Sequence, residues 1–245
     1  MSVEMNISVI TPSVRKEGLD IVAECLRKQT FDEWEWLVCS PFKPPQPALW
    51  IPEPKKRPGD YYNLNKAWNA MFKHSVGYLI VSIVDLLWFP PDTLERLWNH
   101  FLNSPKTCVG AIGHQYKEII DGKPEGIVWQ DPRARTDQGS FWEIKPIDLE
   151  LCVASLPRKG VLEVGGVDPE WDKYCALSEK EMLIRMDKLG YRFYIDATIE
   201  YRALKHPRLG GSKAWDEGYK KGSLYFQQCI KEIREGKRLK VEGVK

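Results

Sequence analysis

The first 113 residues alternate between two apolar rhythms. Residues 6–11, carrying Ile7, Val9 and Ile10, form a short apolar run closed by Pro12 and read as a buried strand. Residues 17–29 then set Leu19, Val22, Ala23 and Leu26 on one helical face. A second strand is predicted at 34–39. Residues 60–74 space Leu64, Ala67, Trp68, Met71 and Phe72 as a helix, Gly77 ends it, and 78–84 is the most apolar strand of the chain. Pro90-Pro91-Asp92 opens a helix to about residue 102, since proline suits a first helical turn, and 107–112 is a fourth strand. Between these, residues 41–58 hold seven of the 17 prolines, which predicts a stiff loop or flap without regular structure.

Strand and helix alternating in this way predict an α/β domain, its mostly parallel central sheet flanked by helices on both faces. Right-handed crossovers bring the C-terminal ends of the strands to one edge, where open α/β sheets bind ligands. Residues 11–15, Ser40 and Asp85 fall on that edge. The rhythm then changes. Residues 114–146 read as loop-rich, 178–189 as a helix with Met182, Leu183 and Met186 inward, and 191–195 as a strand. A last helix over 213–234 sets Trp215, Tyr219, Phe226, Ile230 and Ile233 on one side. The chain thus divides into 1–113, 114–206 and 207–245.

Composition adds limits. Of 245 residues, 43% are hydrophobic and 29% charged, which excludes a disordered or collagenous chain. The net charge of +2 names no partner, but residues 205–245 carry 11 basic and 5 acidic side chains, leaving the rest of the chain mildly acidic. Such a tail suits an anionic surface, whether nucleic acid, a phospholipid membrane or a partner protein, although a solvated helix face is the simpler explanation. No stretch is long and apolar enough to span a bilayer, and no export signal precedes the first strand. The six cysteines form no CxxC pair, which disfavours a zinc or redox site and, with the missing signal, predicts a cytoplasmic setting.

Asp85 ends the most apolar strand, where a carboxylate must meet water, a cation or donors. It reads equally as a loop anchor or as a ligand group. Glu179 and Glu181 open a helix and point in different directions, so that one can face a cleft while the other is solvated; either alone also suits the helix dipole. His206, before Pro207, is more often structural than catalytic in such a setting. Asp131-Pro132-Arg133-Ala134-Arg135 offers two cations to a phosphate or to loop order. No nucleophile elbow, Gly-rich phosphate loop or HExxH helix is present.

These landmarks also fall in a familiar order. The apolar strand, Thr11-Pro12-Ser13-Val14-Arg15, the helix ending in Gln29-Thr30-Phe31 and the strand at 34–38 resemble the opening of family 2 glycosyltransferases. Leu64-Asn65-Lys66-Ala67-Trp68-Asn69, His74-Ser75-Val76-Gly77, Phe89-Pro90-Pro91-Asp92, Gly165-Gly166-Val167-Asp168, Ser178-Glu179, Gly190-Tyr191 and His206 resemble the later landmarks of that family, in order, from about residue 7 to 206.

The resemblance implies a GT-A fold, with a nucleotide-sugar-binding half at 1–113, an acceptor-binding and catalytic half at 114–206 and a basic helical tail. It implies transfer of a sugar from a nucleotide donor, a UDP-sugar first among them, to an acceptor hydroxyl with inversion. Glu179 matches the catalytic base. Thr11, Pro12 and Arg15 match the nucleotide loop, with Ser40, Asn65 and Asp85 completing the donor site. Asp85 and His206 match the positions that hold Mn²⁺ or Mg²⁺ against the leaving diphosphate. Trp129, Asp168 and Trp171 fall in the acceptor half, where indole rings can stack on sugars. Three departures mark a divergent subgroup: the DxD motif is reduced to Asp85 alone, Cys39-Ser40-Pro41 carries no acid after the second strand, and Trp68 stands where an Arg is usual. The acceptor is left open among a glycan, a lipid-linked sugar and a modified DNA base. A non-catalytic nucleotide-sugar or glycan-binding relative is the alternative; a nucleotidyltransferase is disfavoured because residues 11–18 are a poor match to a Gly-rich basic loop.

Overall fold

The computed structural model describes residues 5–120, 123–135, 139–174, 176–206 and 211–244; Cys175, Pro207 and the side chain of Arg135 lie outside the described residues. The predicted strands and helices of the first half are present: β1 (Ile7–Pro12), α1 (Lys16–Arg27), β2 (Trp34–Ser40), α2 (Leu64–His74), β4 (Leu79–Ile83) and α3 (Thr93–Asn103). Strands β1, β2 and β4 are parallel, with Val9 opposite both Trp36 and Val81. Their alternating side chains feed two cores on opposite faces. Val9, Val38 and Val81 join Leu19, Leu26 and Leu94 of α1 and α3, while Ile10, Leu37 and Ile80 join Met71 and Phe72 of α2 and Met182 and Met186 further on. Helices on both faces of the parallel β1, β2 and β4 are therefore a direct consequence of the strand pattern, but the sheet as a whole is mixed and not mostly parallel, with four parallel and five antiparallel pairings among the described residues.

The Gln29-Thr30 pair locks two of these helices together. Gln29 Nε2 donates to Cys25 O at 3.2 Å and to Pro90 O at 2.9 Å, while its Oε1 accepts from Leu94 N at 3.0 Å. One amide thereby serves the C-terminal end of α1 and the N-terminal end of α3, where backbone groups lack helical partners.

Three more expectations are corrected. The proline-rich segment is not without regular structure: β3 (Leu49–Pro52) pairs in parallel with β2, with Pro52 opposite Ser40 at the sheet edge, where a missing N–H is tolerated. Helix α2 begins at Leu64 and not near residue 60, because Tyr61 N and Tyr62 N donate to Asp172 O and do not enter the helix. Residues 114–146 are not mainly loop: β6 (Thr107–Ile120) runs on into a hairpin with β7 (Lys123–Trp129), and β8 (Phe141–Glu143) pairs with β10 (Arg192–Leu204). The remaining elements are the two-residue β5 (Leu87–Trp88), β9 (Val153–Pro157), α4 (Arg158–Glu163), α5 (Ser178–Lys188) and α6 (Gly211–Arg234). Strand order is β3-β2-β1-β4-β9-β6-β10-β5, with β9 antiparallel between β4 and β6. Helix α6 turns inward through Gly222, Cys229 and Ile233, whereas Tyr219, expected on that face, is exposed.

After α6 the chain doubles back along residues 164–165. Val241 N donates to Val164 O, and Gly243 N and Val244 N donate to Gly165 O, at 2.9–3.0 Å. Gly165 has φ +77°, and a Cβ on it would collide with Val241 O. The glycine pair of residues 165–166 thus serves the docking of the C-terminal segment.

Candidate functional site

The sheet's C-terminal edge gathers Ser13, Arg15, Asp85 and His206 from segments far apart in the chain. Asp85 follows β4 in a tight turn in which Leu86 has φ +60°. The turn is held by Val84 N donating to Cys152 O at 3.0 Å and by Leu204 N donating to Leu86 O at 3.0 Å. Asp85 is only 6% exposed. Its Oδ2 accepts from Ser13 Oγ at 2.7 Å, and Arg15 Nη1 reaches Oδ1 at 3.1 Å and Oδ2 at 3.3 Å. Arg15 Nη2 lies 2.9 Å from Nδ1 of His206. A Cβ on Gly18 would fall 2.9 Å from Cβ of Asp85, so the first turn of α1 presses directly on this carboxylate.

A second feature lies at the start of α5. Tyr62, Leu64, Asn65, Tyr174, Ala176, Ser178 and Glu179 line a pocket of about 210 Å³. Glu179 is half-buried, and among the described residues its carboxylate accepts one hydrogen bond, from Ser178 Oγ at 3.2 Å. Asn65 is buried. Its backbone N and Nδ2 both donate to Asp172 Oδ1, at 2.8 and 3.0 Å, while Oδ1 has no partner among the described residues. Cys152 links the two features. Its carbonyl holds Val84, next to Asp85, and its thiol is pushed up to about 11 by burial and by the negative charges of Glu150 and Glu179.

The structure brings Arg15, Asp85 and His206 together, but several other expected residues lie elsewhere. Thr11 is buried, its hydroxyl accepting from Trp36 Nε1 at 3.0 Å. Ser40 is also buried and donates to Phe42 O, anchoring the loop after β2. Pro12 closes β1 half-buried. Trp171 is 1% exposed and packs edge-on against Tyr174 and Tyr225, so its ring faces the core and not a cleft. Asp168 accepts from Glu170 N at 2.9 Å, Tyr225 OH at 2.6 Å and Arg238 Nη2. Burial opposes its charge, yet these donors hold its carboxyl below the usual range. Trp129 ends β7 and is 44% exposed. Arg133 clamps the buried Asp131 and donates to Asp148 O at 3.0 Å, which is loop ordering.

Glu181 corrects the expectation that the second acid of α5 is solvated. It is fully buried and accepts from Arg185 Nε and Nη2 and from Arg238 Nε, each at 2.9 Å. Arg185 also donates to Val164 O and Gly166 O. Part of the basic tail is therefore internal, while Lys220, Lys221, Lys231 and Arg234 of α6 stay exposed. No helix among the described residues is long and apolar enough to cross a membrane. Sequence reasoning missed Tyr62, Tyr174 and the Asp172–Asn65 bond. Asn65 and Asp172 are 107 residues apart, and no local pattern links them.

The described residues hold no group of three or more His, Cys, Asp and Glu side chains placed for a metal ion. Around Asp85 the donor set is one carboxylate, bonded through both oxygens, and the ring of His206, and the guanidinium of Arg15 bonds to both of these expected ligands. A divalent ion favours several oxygen ligands and is repelled by an adjacent cation, so these residues do not fit one as they stand.

No protein-family model matches the chain, and no curated protein matches it in sequence. Solved structures do match in fold. The crystal structure of GalNAc-T7 with UDP, GalNAc and Mn²⁺ superposes with a TM-score of 0.61 at 11% identity, covering 85% of this chain and 44% of that one. S. aureus TarS 1-349 in complex with UDP gives a TM-score of 0.55 at 13% identity, covering 83% of this chain and 61% of that one. The chain thus spans less than two thirds of either. What is shared at this identity is the fold, and it is GT-A-like.

Proposed function

We propose that this chain is a glycosyltransferase, moving a sugar from a nucleotide-sugar donor to an acceptor hydroxyl with inversion at the anomeric carbon. The observation that carries the proposal is the pairing, in one GT-A-like fold, of a donor-rich cluster at the sheet edge (Ser13, Arg15, Asp85, His206) with a half-open carboxylate, Glu179, in a pocket linked to it through Cys152. The UDP held by both structural relatives makes a UDP-sugar the first donor to try.

In this reading the acceptor hydroxyl lies in the pocket with its proton toward Glu179. Its oxygen attacks the anomeric carbon on the face opposite the diphosphate. Glu179 takes the proton, the new C–O bond forms, and the electron pair of the breaking bond leaves with the diphosphate. Tyr62 and Tyr174 give the pocket aromatic walls against which a sugar ring can rest.

A thermal-shift panel of nucleotide sugars tests donor binding, because a ligand bound only by the native state raises the melting temperature. Release of free nucleoside diphosphate, followed over a set of glycan and lipid-linked acceptors, tests transfer. The expected result is a shift with one donor and turnover with one acceptor class. Donor binding without product on any acceptor would favour the binding-only alternative, which the fully engaged Asp85 makes the second reading.

A further inference from the structure

We infer that the guanidinium of Arg15, and not a divalent cation on Asp85, meets the diphosphate of the donor. This rests on the glycosyltransferase reading and names how that site handles charge. Asp85 is the sole acid of the reduced motif, and both of its oxygens are occupied: Oδ2 by Ser13 Oγ at 2.7 Å, and the pair by Arg15 Nη1 at 3.1 and 3.3 Å. A metal bound there would share the carboxylate with Ser13 and Arg15 and sit beside the guanidinium, a cation only 3.1 Å from Oδ1. The buried carboxylate instead orients the guanidinium, whose side chain keeps 25% of its surface exposed at the strand edge.

Three further observations point the same way. The other amino group of Arg15 lies 2.9 Å from Nδ1 of the exposed His206, so the fork extends from the sheet to the end of β10. Helix α1 begins at the next residue with no side chain capping its N-terminus, and its first turn lies against Asp85 at Gly18. The N–H groups of a first helical turn lack intrahelical partners and favour an anion at the same place. A planar fork held by a carboxylate also matches the paired oxygens of a phosphate better than a point charge does.

The step balances without a metal. As the bond from the anomeric carbon to the diphosphate oxygen breaks, its electron pair stays on that oxygen, and the positive charge of Arg15 offsets the negative charge the diphosphate gains. The acceptor oxygen forms the new bond and its proton passes to Glu179. Positive charge placed where negative charge develops is the requirement, and a guanidinium supplies it.

The test uses the full chain and three probes, UDP, GDP and inorganic pyrophosphate, titrated calorimetrically in EDTA and again in excess Mn²⁺. At least one nucleotide is expected to bind in EDTA with an affinity that Mn²⁺ improves no more than about twofold, and pyrophosphate is expected to compete with it. Arg15→Met should weaken binding at least tenfold in both buffers. Arg15→Lys, which keeps the charge and guards against a folding defect, should weaken it less. Asp85→Asn should cost only a few-fold, since it loosens the fork without removing it. Binding that requires Mn²⁺ and is abolished by Asp85→Asn overturns this inference while leaving the donor reading in place. No binding by any probe, with or without metal, overturns both.

Discussion

Glu179 and Glu181 stand two residues apart at the start of one helix, yet they serve opposite ends. Glu181 is fully buried and saturated, tied to Arg185 within α5 and to Arg238 from the C-terminal segment. Glu179 is half-buried beside a pocket and accepts, among the described residues, a single hydrogen bond. The difference follows from helix geometry, since side chains two positions apart project to different faces. An acid whose acceptors are filled by fixed donors is architecture, whereas one with spare capacity next to open space can take a substrate's proton. The same test sorts Asp168, which is filled by Tyr225, Glu170 and Arg238, from the acids available to chemistry.

The largest effect on stability is expected on the buried side. Glu181→Ala leaves the fully buried guanidinium of Arg185 without its counter-charge, while the half-buried Arg238 keeps Asp168 and Glu232, and breaking a buried pair from one side costs about 3–5 kcal/mol. For a chain of this size that lowers the melting temperature by roughly 10 °C, a shift that calorimetry resolves readily. A change of a degree or two would mean that Arg185 and Arg238 are satisfied without Glu181, and the contrast with Glu179 would lose its energetic basis.

Arg238→Ala probes the same network from the other strand of chain and should cost less, about 2 kcal/mol, because Glu181 keeps Arg185 and Asp168 keeps Tyr225. The more telling readout is local. Amide exchange at Val241, Gly243 and Val244 should quicken, since their bonds to Val164 and Gly165 depend on the segment staying docked. Unchanged exchange there would show that the glycine pair holds the segment without the arginine.

A gentler challenge is pH. Burial opposes charge on Asp60, yet its bonds to Arg57 and Lys66 hold its carboxyl at about 2. A folded value below the unfolded one stabilises the fold above pH ~4, and that contribution is lost as pH falls toward 2. Asp172 has the opposite sign: burial raises its carboxyl, so its contribution is present at low pH and is lost as pH rises. The melting temperature should therefore fall between pH 5 and 2, with Asp60→Asn showing a flatter slope. An unchanged slope in that variant would remove Asp60 from the acid response.

How much of this was readable beforehand depended on range. Strand β1, helix α1, strand β2, helix α2 and strand β4 were legible because each carries its own periodicity, and packing did not overrule it. The hairpin of β6 and β7 was not, because Lys123-Pro124-Glu125-Gly126 has no apolar alternation and its strand character comes from pairing with β6. Strand β3 hid among prolines that only an edge position tolerates. At the site, Asp85 stood out as an acid ending an apolar strand, and Arg15 stood out in its loop. That they meet could not be read from residues 70 positions apart, nor could the bonds that Ser13 and Arg15 make to Asp85. Trp171 and Asp168 carried the right chemistry for a sugar site and the wrong exposure, which a single sequence does not encode locally.

The sharpest form of the comparison is the variant expected to cost the fold least. Glu179→Gln keeps the shape of the side chain and an acceptor for Ser178, and the residue is half-buried, so stability should stay within about 0.5 kcal/mol of the parent. A glutamine amide cannot take the acceptor's proton, and loss of a positioned base lowers a rate by about 10²–10⁴-fold. Donor binding should persist, because the cluster proposed to meet the diphosphate is built from Arg15, Ser13 and Asp85. The expected pattern is thus an unchanged melting temperature, an unchanged donor-induced shift and lost transfer, the mirror image of Glu181→Ala. If Glu179→Gln instead unfolds the chain as Glu181→Ala does, both acids are architecture and the base must be sought elsewhere. If it transfers sugar at the parent's rate, the pocket at α5 is not where the acceptor gives up its proton.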